Sequence, residues 1–84
     1  MAVTVKFFAS VREAVGASSE TLDLPASVKT VGDLRAHLAA RGDTWRDALG
    51  SPALRMACNQ IMCGTDSAVA DGAEVAFFPP VTGG

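Results

Sequence analysis

A single histidine, and two cysteines that do not stand at a two-residue spacing, leave this 84-residue sequence poor in the side chains that usually carry out chemistry. A self-sufficient enzyme needs a nucleophile with its base, a paired set of carboxylates or a metal cluster, and the sequence offers no convincing instance of any of them. His37 lies three residues after Leu34 inside a helical pattern and far from both cysteines, which reads as a solvated helix position rather than a ligand or a base. Cys58 and Cys63 are five apart, without the spacing of redox or zinc pairs; an apolar segment and a reducing compartment favour reduced, packed thiols. No metal site is expected. No glycine-rich loop follows a strand and opens a helix, so phosphate cradling is unsupported. Seven Lys and Arg scattered from Lys6 to Arg55 against nine Asp and Glu give a net charge of -2, which leaves no basic stripe for nucleic acid. The apolar stretch at Met1 to Ser10 is interrupted by Lys6, too short for a signal segment and far too short to span a bilayer, so the expected location is the cytoplasm with no membrane partner. Repeats, low-complexity runs and internal linkers are absent.

What is present is the composition of a compact globular domain, 49% hydrophobic and 19% charged. A chain of this length forms one core and buries about 60 to 65% of its unfolded surface, which leaves little volume for an enclosed active site. Val3, Val5 and Phe7 alternate with Thr4, Lys6 and Phe8, predicting a first strand over Ala2 to Phe8. Ser10 with Glu13 reads as a capping box and Gly16 as a left-handed stop, predicting one or two helical turns over Ser10 to Val15. A second strand is expected over Thr21 to Leu24, ended by Pro25. The main helix starts at Thr30 with Asp33 three residues on, repeats Val31, Leu34, Leu38 and Ala39 at helical spacing and is expected to stop at Gly42. A shorter helical segment, Thr44 to Leu49, sets Trp45 and Leu49 on one face. Asn59 and Gln60 suit the turn of a short hairpin within Met56 to Cys63, Asp71 and Gly72 a second turn, and Glu74 to Phe78 a closing strand that Pro79 and Pro80 terminate.

This order predicts an α+β domain with one main helix packed across one face of a mixed sheet. It fits the β-grasp (ubiquitin-like) arrangement, in which the first and last strands, the most apolar here, lie side by side in the middle of the sheet.

The remaining signal is the terminus, Pro79-Pro80-Val81-Thr82-Gly83-Gly84. Two prolines impose an extended course, and four further residues reach at most about 13 to 14 Å, enough to enter a partner's cleft. Terminal glycines carry no Cβ, pass narrow channels and leave the carboxylate unshielded. That carboxylate becomes an electrophile only once activated, for example by adenylation, after which sulfur can displace AMP to give a thiocarboxylate. Frayed ends also contain glycine, and at ordinary usage two terminal glycines arise by chance in roughly one chain in 200, so the pair alone is a moderate signal. A second signal is parity: Phe8 and Phe78 fall on the opposite side from Val3, Val5, Phe7, Val75 and Phe77, and Met62 joins them if the hairpin register allows. Such a patch at the root of the tail marks a partner interface, unless loops cover it.

Two stretches are more specific. Val5-Lys6-Phe7-Phe8-Ala9-Ser10-Val11-Arg12-Glu13, and Asp71-Gly72-Ala73-Glu74-Val75-Ala76-Phe77-Phe78 running into the Pro-Pro-Val-Thr-Gly-Gly end, resemble the small subunit of molybdopterin synthase over the whole chain. The resemblance implies a ubiquitin-like domain over residues 1–79 and an extended, flexible tail over 80–84. It also implies that Gly84 is adenylated by a separate, ATP-using activating enzyme and converted to a thiocarboxylate by a sulfur donor system. Pro80, Val81, Thr82 and Gly83 would then insert into the large synthase subunit, and the sulfur would pass to a pterin precursor, cyclic pyranopterin monophosphate, to form the dithiolene of the molybdenum cofactor. By the same resemblance two small and two large subunits assemble as a heterotetramer, the catalytic residues sit on the large subunit, and this chain binds no cofactor itself. A sulfur carrier for thiamine or a thiolated nucleoside, or a ubiquitin-like protein tag, shares the fold and the Gly-Gly end, and a passive binding module would use the patch without the tail.

Overall fold

Strand β1, Ala2–Phe7, buries Val3, Val5 and Phe7 and turns the alternate residues outward, as a period-two sequence with one apolar set must. Residues 1–80 are described by the computed structural model, and the elements after β1 are α1 Ala9–Val15, β2 Ser19–Asp23, α2 Val31–Ala39, α3 Asp43–Leu49, β3 Arg55–Cys58, β4 Ile61–Cys63 and β5 Glu74–Phe78. The sheet order is β2-β1-β5-β3-β4. β1 and β5 run parallel next to each other and the remaining pairs are antiparallel, so the sheet is mixed and its two most apolar strands are interior. This is the expected α+β, ubiquitin-like arrangement.

All the helical core contributions meet one face of that sheet. Val31, Leu34 and Leu38 of α2 and Leu49 of α3 are fully buried, in one cluster with Val3, Val5, Phe7, Val75 and Phe77. Phe7 and Phe77 stack with centroids 6.4 Å apart, and Trp45 meets Phe7 edge-on at 5.4 Å. The Arg41 guanidinium lies 4.7 Å over the Trp45 ring and makes a bidentate pair with Glu20 at 2.8 and 2.9 Å, tying the α2–α3 connection to β2.

Local signals were decisive in some places and misleading in others. Thr30 caps α2 by a true capping box, accepting from the Asp33 N–H while the Asp33 carboxylate accepts from the Thr30 N–H. The Ser10–Glu13 box does not form. The N-cap of α1 is Phe8, without a side-chain cap, because the chain leaves β1 through a left-handed Ala9 at φ 51 and the helix begins one residue early. β1 accordingly ends at Phe7 rather than Phe8, and β2 begins two residues before the expected Thr21, where Lys6 pairs with Ser19. Gly42 does not end α2. That helix closes at Ala40, and Gly42 is the N-cap of α3, with φ 155.

Candidate functional site

The core face of the sheet is covered by helices, and the chemistry of the opposite face follows from register. In the β1–β5 ladder Lys6 pairs with Ala76 and Phe7 with Phe77; in the β5–β3 ladder Ala76 pairs with Ala57 and Phe78 with Arg55; in the β3–β4 ladder Ala57 pairs with Met62. Ala76, Ala57 and Met62 therefore form a row across the outer face, next to a row in which Arg55 lies beside Phe78. Phe8 is extended at φ -124, ψ 152 and donates its N–H to the Phe77 carbonyl at 3.2 Å, so it continues the β1 alternation beside Phe78. Phe8 is 46% exposed and Met62 59% exposed, whereas Phe78 is half-buried. The three residues singled out from the sequence thus share one face, with Met62 brought there by the hairpin register.

The sequence reading missed Ala57 and Ala76, whose small side chains keep the middle of this face low between Phe78 and Met62. Their signal was the same parity, legible only once β3 and β5 are known to be neighbours. It also missed the charged edge: Lys6 Nζ lies 3.1 Å from Glu74 Oε1, a half-exposed pair worth little to stability but placed where it borders the apolar row. Ile61, 72% exposed, stands on β4 at the opposite parity from Met62 and extends beyond the core.

Beyond β5, Pro79 and Pro80 are half-buried and line an open groove of about 520 Å³ whose other walls include Val11, Ala14, Thr44 and Leu54. Its lining contains neither histidine nor cysteine. The expected tail residues Val81, Thr82, Gly83 and Gly84 lie outside the described residues. His37 is exposed in the last turn of α2. Arg12 is exposed on α1. Among the described residues no helix is long and apolar enough to cross a membrane.

Both cysteines are free and half-buried at the edge of the core, as their apolar neighbourhood suggested, but they are also neighbours: Cys63 Sγ donates to Cys58 Sγ at 3.1 Å. Burial, and next the adjoining Cys63 thiol, push the Cys58 thiol up to about 11.

A family model described as the ThiS family matches residues 5–84, which is the body of the sheet together with the Gly-Gly end. The chain belongs to this family. Among relatives of this ThiS-family chain, the molybdopterin synthase sulfur carrier subunit of Escherichia coli (strain K12) is 48% identical over 82 residues, covering 98% of this chain and 99% of that protein. The protein of the same name from Haemophilus influenzae is 44% identical over the same shares. In three dimensions the crystal structure of SAMP1 from Haloferax volcanii superposes with a TM-score of 0.80 at 27% identity, covering all of both chains. The resemblance that the two sequence stretches carried is therefore shown.

Proposed function

We propose that this ThiS-family chain is the sulfur carrier subunit of molybdopterin synthase. One observation supports this most: relatives bearing that name match nearly from end to end at 44 to 48% identity, on a chain that ends in Pro-Pro-Val-Thr-Gly-Gly. In this reading residues 1–79 are a handle and 80–84 the reagent-bearing tail. A separate activating enzyme joins the Gly84 carboxylate to AMP from ATP, releasing pyrophosphate; a sulfur donor displaces AMP, leaving a terminal thiocarboxylate. The thiocarboxylate sulfur then attacks a carbon of the pterin precursor, cyclic pyranopterin monophosphate, from which an oxygen substituent departs; water hydrolyses the resulting thioester, leaving the sulfur on the pterin and returning the carboxylate, and a second loaded chain supplies the other sulfur of the dithiolene. The chain itself supplies no acid or base. The large synthase subunit provides those groups, and ATP belongs to the activating enzyme.

The outer face of the sheet is the docking surface in this reading. Phe8, Phe78 and Met62 give an apolar centre, Ala57 and Ala76 a flat floor and Lys6, Glu74 and Arg55 a charged border, the anatomy of a recognition patch. The patch borders the strand that leads into Pro79 and Pro80, so docking sets where the tail enters the partner.

The test is the intact mass of the full chain after incubation with an activating enzyme, ATP and a sulfur donor, followed by addition of the large subunit and pterin precursor. Exchange of one oxygen for sulfur, absent when Gly84 is deleted and discharged on adding precursor, is the expected result. A charged chain that appears instead as covalent conjugates on lysines, or no sulfur-bearing species at all, overturns the reading.

A further inference from the structure

The two cysteines come together through register, not through sequence spacing. Cys58 pairs with Val75 and Ile61, and Cys63 with Met56, so both sulfurs leave the hairpin on the same side of the sheet from diagonal positions on β3 and β4. A two-residue turn with Asn59 at φ 50 and Gln60 at φ 69 fixes that diagonal. The turn is itself pinned to β5: Asn59 donates its N–H to the Glu74 carbonyl at 2.8 Å and its side-chain oxygen accepts the Glu74 N–H at 3.0 Å. A slip of register, which would separate the sulfurs, is opposed at the turn.

With Sγ to Sγ at 3.1 Å, a disulfide at about 2.05 Å requires an approach of about 1 Å. Diagonal ladder positions lie about 7 to 8 Å apart, so closure combines side-chain rotation with a small tightening of the hairpin. Both side chains are half-buried, so a small oxidant has access while a bulky one is hindered. From these positions we propose that Cys58 and Cys63 are a reversible dithiol couple, closed to an intramolecular disulfide by a hydroperoxide, which locks the β3–β4 hairpin that carries Ile61 and Met62. In the first step the Cys63 sulfur attacks the outer oxygen of the hydroperoxide, its proton passing to the departing oxygen, which gives a sulfenic acid and releases an alcohol, or water when the oxidant is hydrogen peroxide. The second sulfur then attacks the sulfenic sulfur, forming the S–S bond; the hydroxyl leaves with the second thiol's proton as water. Two thiols are oxidised by two electrons and one hydroperoxide is reduced. A dithiol reductant reverses the step. The ring closed by the bond spans only Cys58 to Cys63, so it constrains little of the unfolded chain and acts on the hairpin rather than on the whole domain.

The experiment uses the full chain in its carboxylate form, so that the terminus adds no sulfur of its own. The folded protein is treated with hydrogen peroxide, quenched, and alkylated with iodoacetamide before and after dithiothreitol, with the count of alkylated cysteines read by mass. The expected product is a monomer lighter by two hydrogens in which neither cysteine alkylates, and in which both alkylate after reduction. In the same samples amide exchange at Ile61 and Met62 slows in the oxidised form. Cys63→Ser abolishes the reversible monomeric loss. Two cysteines that remain alkylatable, a loss that dithiothreitol does not restore, or disulfide-linked dimers overturn the couple; unchanged exchange at Ile61 and Met62 overturns the locking of the hairpin.

Discussion

Phe8 hangs from Phe77: its N–H reaches the Phe77 carbonyl at 3.2 Å, yet Phe77 is fully buried while Phe8 is 46% exposed. Neighbouring residues on one pair of strands thus serve opposite sides of the sheet, Phe7 and Phe77 the core, Phe8 and Phe78 the outer face. The division can be tested residue by residue.

Phe78→Arg is expected to leave the fold in place, with stability changed by no more than about 1 kcal/mol, because the new charge stands on the outer face, where its like-charge pairing across from Arg55 is weakened by solvent. Under the proposed carrier function, binding to a synthase large subunit should fall by at least about 30-fold, since a charge at the centre of the docking patch would go unpaired, a loss of about 2 kcal/mol or more. Titration calorimetry beside a thermal melt separates the two. Unchanged affinity would remove the outer face from the docking surface.

Phe77→Ala is expected to do the reverse. It deletes the ring stacked on Phe7 at 6.4 Å and should cost about 3 to 5 kcal/mol. A domain of this length is stable by roughly 4 to 13 kcal/mol, so urea unfolding should show a midpoint shifted by a large fraction, or loss of the native state.

Gln60→Gly should stabilise the protein by about 0.5 to 1 kcal/mol, raising Tm by a few degrees. Gln60 sits at φ 69, where a Cβ is strained, and Asn-Gly is the preferred dipeptide for a hairpin turn with both residues left-handed. A lower Tm would show that the Gln60 side chain contributes something the backbone account omits.

Acid should destabilise the fold through two named carboxylates. The Arg41 guanidinium holds Glu20 below its ordinary value of 4.5, and the N–H groups of Lys29 and Thr30 hold Asp33 below 3.8. Both pKa values are depressed in the folded state, so below the ordinary values the unfolded chain binds more protons. The stability these groups contribute is complete above about pH 5 and is lost as pH falls through their folded values. Glu20→Gln should flatten the acid limb of a stability-against-pH curve measured by urea melts from pH 6 to 2.5; an unchanged slope would contradict the Arg41 account.

Thr30→Ala should cost about 1 kcal/mol, since it removes the acceptor of the Asp33 N–H at 3.1 Å and dissolves the capping box of α2. Thr30→Ser, which keeps the oxygen, should recover most of the loss in the same denaturant titration.

The elements that could be read from the sequence were those whose cause is local. The alternation in Val3, Val5 and Phe7, the Thr30–Asp33 box, the Asn59–Gln60 turn and the left-handed Gly16 each depend on a few neighbouring residues, and each appears where its chemistry demands. Errors arose where the path of the adjoining element decided. Ser10 and Glu13 carry the chemistry of a capping box, but the path out of β1 through Ala9 starts the helix before Ser10 can cap it. Gly42 has the chemistry of a stop, but α2 had already closed, and the glycine serves the next helix instead.

By itself the sequence determined which side of each strand is apolar, where the main helix begins, and that Pro79 and Pro80 follow the last apolar strand. Covalent order and period-two or 3.6-residue spacing fix these before any strand finds its neighbour. Tertiary structure decided what lies across from what: Ala57 and Ala76 between Phe78 and Met62, Lys6 against Glu74, Arg41 on Trp45, and Cys58 against Cys63. Those relationships depend on β5 entering the sheet between β1 and β3, a pairing of segments far apart in the chain. No local pattern encodes it, because only burying both apolar strands against the same helices makes that order the stable one.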